Sequence, residues 1–204
     1  MKQIMKKISL LLVIVLAMNT TEAQTVFGVK GGAGVSNTTK IHGVSESRVG
    51  FLAGGFVEFP LTYKNNFHYL QIEALYTSQG EFSKFRESSD EKYKAFLNYI
   101  SIPIMYKYYL DDSNTDFFLE AGPQLGFLVS KNFETNGPEI VEDTEKSFDL
   151  AINLGLGFSY QRKYEANLRY GYGLLDSYET FNNGASGTGI NRSSLLSLQL
   201  AYKF

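Results

Sequence analysis

No cysteine occurs anywhere in the 204 residues. That removes disulfides and thiolate metal sites. It also removes the lipidated periplasmic class, which needs a cysteine at its cleavage site. Tryptophan is absent as well, proline occurs four times, and there are two histidines, His42 and His68. No stretch approaches the roughly 20 consecutive apolar residues that a membrane-spanning helix needs. The net charge is only −2, and no Lys/Arg cluster follows the first seven residues. A basic field for nucleic acid is therefore missing.

What is abundant is aromatic and small: 16 Phe, 14 Tyr and 19 Gly. Aromatics suit twisted strands better than helices. The mean hydropathy of −0.15 is that of a soluble protein. A transmembrane barrel hides in such an average, because only alternate residues face lipid.

The chain opens with Lys2, Lys6 and Lys7, an uncharged and mostly apolar run over 8–18, and a polar stretch ending Thr21-Glu22-Ala23. A charged start, a short apolar centre and a small residue at the end describe a cleaved signal peptide over residues 1–23. The expected domain is then 24–204, long enough for one.

Period two, the mark of a strand with different surroundings on its two sides, recurs in eight segments. Their apolar faces are led by Phe27, Phe51, Leu70, Ile100, Phe117, Phe148, Tyr164 and Leu196. Pro123 is expected to interrupt the fifth. The sixth is the most regular, with Phe148, Leu150, Ile152, Leu154, Leu156, Phe158 and Tyr160 at every second position. Short connections are expected at 60–66, 111–116 and 161–163, and long polar ones at 37–47, 80–94, 130–147 and 176–191. Short turns at one end and long loops at the other predict an all-β fold, an eight-stranded antiparallel up-and-down transmembrane β-barrel with periplasmic turns and external loops. The last strand, with Leu196, Leu198, Leu200, Tyr202 and Phe204 on one face, ends the chain on an aromatic. Tyr202 and Phe204 read as an assembly signal for the outer-membrane barrel-assembly machinery.

Alternation does not say which face looks inward, since a soluble lipocalin-like barrel carries its apolar face in the lumen. The polar face decides. It is rich in Gly, Ser, Asn and Gln with roughly one charge per strand. Glycine weakens a water-exposed strand and packs nothing, whereas a narrow eight-stranded lumen needs small residues beside a few large ones. The apolar face therefore looks to lipid, and the expected location is the cell outer membrane. The inward charges are Lys30, Lys107, Arg169 and Lys203 against Glu58, Glu73, Glu120, Asp149 and Glu165. Such charges are tolerated when paired, which predicts a structural salt-bridge network filling the lumen. A gated ion or proton path is the alternative.

Several stretches carry a resemblance to a known family. They include Gly28-Val29-Lys30-Gly31-Gly32, Ile72-Glu73-Ala74-Leu75-Tyr76 and Leu97-Asn98-Tyr99-Ile100-Ser101-Ile102-Pro103. Others are Glu120-Ala121-Gly122-Pro123-Gln124, Gly155-Leu156-Gly157 and Tyr202-Lys203-Phe204. The chain resembles the PorT-like outer-membrane β-barrel family of Gram-negative bacteria over nearly all of its mature length. The resemblance implies an eight-stranded barrel, and a founding member is implicated in the type IX secretion route. Most members have no assigned activity.

Chemistry is thin. His42 with Ser89 and Asp90 loosely resembles the His and Asp-Ser of outer-membrane acyltransferases, but in reversed order and without a third orienting group. The third loop gathers Glu134, Glu139, Glu142, Asp143 and Glu145 in a spacing that matches no Ca²⁺ loop. Residues 184–189 lack the lysine and helix of a phosphate cradle. The sequence thus points to no enzyme, no cofactor and no metal. Two roles remain: a structural or binding barrel whose long loops meet an external ligand, or an accessory factor in protein secretion or assembly. A small ion channel or an acyltransferase is a distant alternative. Outer-membrane lipid and the assembly machinery are the expected partners, with an extracellular ligand or a secretion-system component as a further one.

Overall fold

The computed structural model describes residues 25–37, 45–62, 67–84, 92–135, 146–176 and 192–204. Eight strands run in chain order: β1 (Val26–Asn37), β2 (Ser45–Pro60), β3 (His68–Lys84), β4 (Lys92–Tyr109), β5 (Thr115–Thr135), β6 (Phe148–Tyr160), β7 (Tyr164–Asp176) and β8 (Arg192–Lys203). Each pairs antiparallel with the next, and β8 returns to β1 through Gly28–Lys203 to Asn37–Ser194, so the barrel is closed. The leader at 1–23, His42, Ser89, Asp90, Glu139, Glu142, Asp143, Glu145 and residues 184–189 lie outside the described residues, and of Glu134 only the strand backbone is described.

The apolar phase of each strand is the outer one. Along β6, Ile152, Leu154, Leu156 and Phe158 are exposed while Asp149, Ala151, Asn153, Gly157 and Ser159 are buried. At the turn end, outward-facing aromatics pair across strands: Phe117 with Phe158 at 5.5 Å and Tyr164 with Tyr202 at 5.2 Å between ring centroids. A second set stands at the other end, Phe127 with Phe148 at 5.6 Å and Phe51 with Tyr76 at 5.7 Å. From Phe148 to Phe158, at roughly 3.3 Å per residue and a tilt of about 40°, the aliphatic stretch covers roughly 25 Å, the height of a barrel's apolar band.

Three expectations need correcting. Pro123 does not interrupt β5. The chain stays extended and pairs with β6 without a break (Pro123 opposite Ile152), while the β4–β5 ladder skips from Pro103–Gln124 to Tyr106–Ala121 in unchanged register. A proline that points outward thus removes one stretch of ladder and leaves the strand intact. Second, the loops at 37–47, 80–94 and 130–147 are shorter than expected, since β2 starts at Ser45, β3 runs to Lys84, β4 starts at Lys92 and β5 reaches Thr135. The polar side chains there hid continued pairing. Third, the turn at 111–116 is one residue pair tighter, because Thr115 and Asp116 already belong to β5.

The remaining turn, at 161–163, joins β6 to β7 as expected. Gln161 and Arg162 both have φ of 54°, the left-handed region that a tight hairpin requires and that non-glycine residues adopt at a cost. Inside, Gly157 makes room for the Phe118 ring and Gly28 for that of Phe56: a Cβ at either glycine would overlap the ring. Small against large is how an interior this narrow is filled.

Candidate functional site

The inward charges gather into two clusters. In the first, Arg169 of β7 donates from Nη1 and Nη2 to the two oxygens of Glu73, each at 2.8 Å, and from Nε to Glu120 Oε1 at 2.7 Å. Lys30 Nζ donates to Glu73 Oε1 at 2.8 Å, and Asn167 Nδ2 to Glu120 Oε1 at 2.6 Å. The arrangement follows from register. Glu120, Gly155 and Arg169 lie side by side across β5, β6 and β7. The missing side chain of Gly155 lets the Glu120 carboxylate reach across it: a Cβ there would sit 2.7 Å from Glu120 Oε1.

In the second cluster, Lys107 Nζ donates to Glu58 Oε2 at 3.0 Å, Glu165 Oε2 at 2.8 Å and Gln71 Oε1 at 2.7 Å. Lys203 Nζ donates to Glu58 Oε1 at 2.5 Å and to the Tyr109 hydroxyl at 2.8 Å, and stands 2.8 Å from Glu165 Oε1. Tyr109 donates in turn to Glu165 at 2.5 Å. Gln71 joins the clusters, accepting from Lys107 and donating to Glu73 at 2.5 Å.

Each cluster holds two cations and two carboxylates, all buried to 4% exposure or less. An ammonium has three protons to give; Lys107 and Lys203 each meet three acceptors. Taking such ions out of water costs several kcal/mol each, which only this close pairing offsets. Chemically the arrangement holds charge still.

Asp149 is not part of it. Among the described residues it meets no cation: Ser193 Oγ donates to its Oδ2 at 3.0 Å and Oδ1 has no hydrogen-bond partner. Alternation set the side it faces but not its height, and Asp149 stands one pair from the start of β6, opposite Gly126. Without it, the count of four cations against five acids becomes four against four.

The sequence reading passed over Gln71, Tyr109 and Asn167, neutral groups on the inward phase whose signal was their alternation with Lys107, Glu73, Glu165 and Arg169. It also missed Arg162. Held in the left-handed turn, Arg162 lies 3.7 Å over the Tyr109 ring and donates to Asp116 Oδ2 at 2.8 Å and to the Asp111 carbonyl at 2.7 Å. On the loop side of the clusters, a cavity of about 10 Å³ between Leu52, Leu75, Asn153, Arg169 and Gln199 has room for about one water.

The end of the chain sits in the turn-side aromatic belt. Tyr202 packs at 5.2 Å from Tyr164 and 5.5 Å from Phe204, and Phe204 is 74% exposed, its backbone N–H donating to the Phe27 carbonyl at 2.9 Å. His68 is on the outer surface, with Nδ1 at 2.6 Å from the Tyr106 hydroxyl. Among the described residues no three His, Asp or Glu side chains gather as a metal site.

Similar solved structures include Neisserial surface protein A, 18% identical over 87% of this chain and 97% of that one, with a TM-score of 0.47. Ail, the attachment invasion locus protein of Yersinia pestis, solved with the heparin analogue sucrose octasulfate, is 14% identical over 90% and 100%, TM-score 0.46. The outer membrane protein OprG from Pseudomonas aeruginosa is 16% identical over 89% and 97%, TM-score 0.46. No curated protein sequence matches the chain. The outer membrane protein beta-barrel domain family matches residues 22–179, most of the chain. With its closed eight-stranded barrel and lipid-ready outer face, the chain belongs to that family and is a protein of the cell outer membrane.

Proposed function

We propose that the barrel is a plugged, non-catalytic anchor whose working part is the loop end, presented to an external ligand or an envelope partner. The observation that supports this is two neutral clusters stacked along the lumen, with Lys107, Lys203 and Arg169 each engaged by more than one partner and Lys30 held on Glu73. A conducting path needs sites that bind an ion and release it, and paired lysines and arginine of this kind offer none. The test is planar-bilayer recording on the purified full-length protein. The reading expects no steady conductance. Selective, stable openings that vanish in Arg169→Met without loss of stability would overturn it in favour of an ion path.

A second reading rests on the resemblance to PorT-like barrels, whose matching stretches run through the strands described above. It makes the protein an accessory factor in secretion or assembly across the outer membrane. Comparing surface and secreted proteins of a deletion strain with those of its parent by mass spectrometry separates the two. Loss of a whole class of secreted proteins supports the accessory role, and an unchanged secretome supports the anchor.

A further inference from the structure

The lipid-facing surface is not uniform. A groove of about 680 Å³ runs over the outside of β3 to β6, lined by His68, Tyr106, Tyr108, Leu119, Ala121 and Leu154. Its floor exists because Ala121, opposite both Tyr106 and Leu154 in the sheet, is small between these two larger outward neighbours. One end, at Leu154, is aliphatic and lies midway along β6. The other is polar and sits in the turn-side aromatic belt, where His68 starts β3 and packs against Tyr106 and Tyr108 with ring centroids 6.0 and 5.0 Å apart.

The polar end carries a hydrogen-bonded His–Tyr pair. Tyr106 OH and His68 Nδ1 are 2.6 Å apart. With the hydroxyl donating to Nδ1, the ring proton is on Nε2, the nitrogen turned away from that bond. An apolar channel that reaches toward the membrane midplane and ends in an N–H donor at the interface has the polarity of a diacyl lipid. Since short turns are periplasmic, that lipid is one of the inner leaflet.

We propose that this groove is a binding site for a phospholipid of the periplasmic leaflet, with one acyl chain over Ala121 toward Leu154 and the phosphate or ester oxygens at His68 Nε2–H. Loop-mediated binding has no part in this, so the proposal stands or falls separately from the function argued above.

The test uses full-length protein folded into vesicles of phosphatidylethanolamine with a minor share of phosphatidylglycerol, then released into detergent and weighed by native mass spectrometry. Wild type is expected to retain phospholipid. Ala121→Phe fills the groove from an outward position and should abolish retention. His68→Phe keeps the ring and removes the donor, and should lower retention by about five-fold, the worth of one hydrogen bond. Ala53→Phe, an exposed outward position on β2, is the control and should retain lipid like wild type. Heat-modifiable gel migration verifies folding of each variant. If Ala121→Phe does not fold, His68→Phe and wild type still decide the matter. Equal retention in wild type, His68→Phe and every folded groove variant would show annular lipid only and overturn the proposal, as would wild type carrying none.

Discussion

Replacing Arg169 by methionine removes three charge-assisted hydrogen bonds, two to Glu73 and one to Glu120. It keeps the volume of the stem. The two carboxylates do not suffer equally. Glu73 keeps Lys30 at 2.8 Å and Gln71 at 2.5 Å. Glu120 keeps only Asn167, a neutral donor, and its Oε2 has no hydrogen-bond partner even with Arg169 present. The variant therefore strands one buried carboxylate, a loss of about 3–5 kcal/mol. Adding Glu120→Gln removes the stranded charge and should restore most of that loss, since replacing both members of a buried pair is close to neutral. Adding Asp149→Asn should restore nothing, because Asp149 is paired to Ser193 and not to the cluster. Urea unfolding of each variant in lipid vesicles, followed by the shift of the folded band on unboiled gels, reads the series. A single variant within about 1 kcal/mol of wild type would refute the reasoning, as would rescue by Asp149→Asn in place of Glu120→Gln.

Deleting Phe204, or Phe204→Asp, should leave protein in the periplasm or degraded, checked by the heat-modifiable band in outer-membrane fractions; normal levels there would mean that Phe204 is no assembly signal. Leu154→Arg, at a 61% exposed position midway along β6, should cost roughly 2–4 kcal/mol in lipid, and unchanged refolding would mean that the faces are assigned the wrong way round. Gly157→Ala should lose about 1–3 kcal/mol through overlap with the Phe118 ring. Gly157→Ala with Phe118→Leu should recover part of it, and thermal unfolding of the two variants measures the difference.

The faces of the strands were legible because lipid and lumen impose opposite demands on successive residues, and the turn at 161–163 because only three residues separate two long alternations. Strand ends were not legible where pairing continues past the apolar band, as in Gly80–Lys84 against Lys92–Phe96, since nothing apolar marks such residues. The partners of the buried ions were half legible. Counting the β6–β7 hairpin back from its turn sets Arg169 opposite Gly155, but Glu120 joins them through the β5–β6 register, which no short turn fixes. Glu73 and Arg169 are 96 residues apart and meet across the lumen, a distance set by the stagger of the closed barrel, which no single strand encodes. Asn153→Lys illustrates the same gap. By alternation alone it would be milder than Leu154→Arg, but Asn153 is 3% exposed and its Nδ2 donates to Gln124 Oε1 at 3.2 Å, so a lysine there would put a further cation beside two balanced clusters.

That balance depends on β8, the last strand in chain order. β1 to β7 bring three of the cations, Lys30, Lys107 and Arg169, and all four of the carboxylates, Glu58, Glu73, Glu120 and Glu165. Lys203, one residue from the end of the chain, is the fourth cation, and it bridges Glu58 and Glu165 from β8. A sheet of seven strands, or one whose final strand has slipped by a residue and turned Lys203 to lipid, holds a surplus negative charge in a space too small for water to dilute it. With β8 in register the two clusters become neutral. The ammonium of Lys203 thus ties the charge balance of the second cluster to the register of β8 against β1.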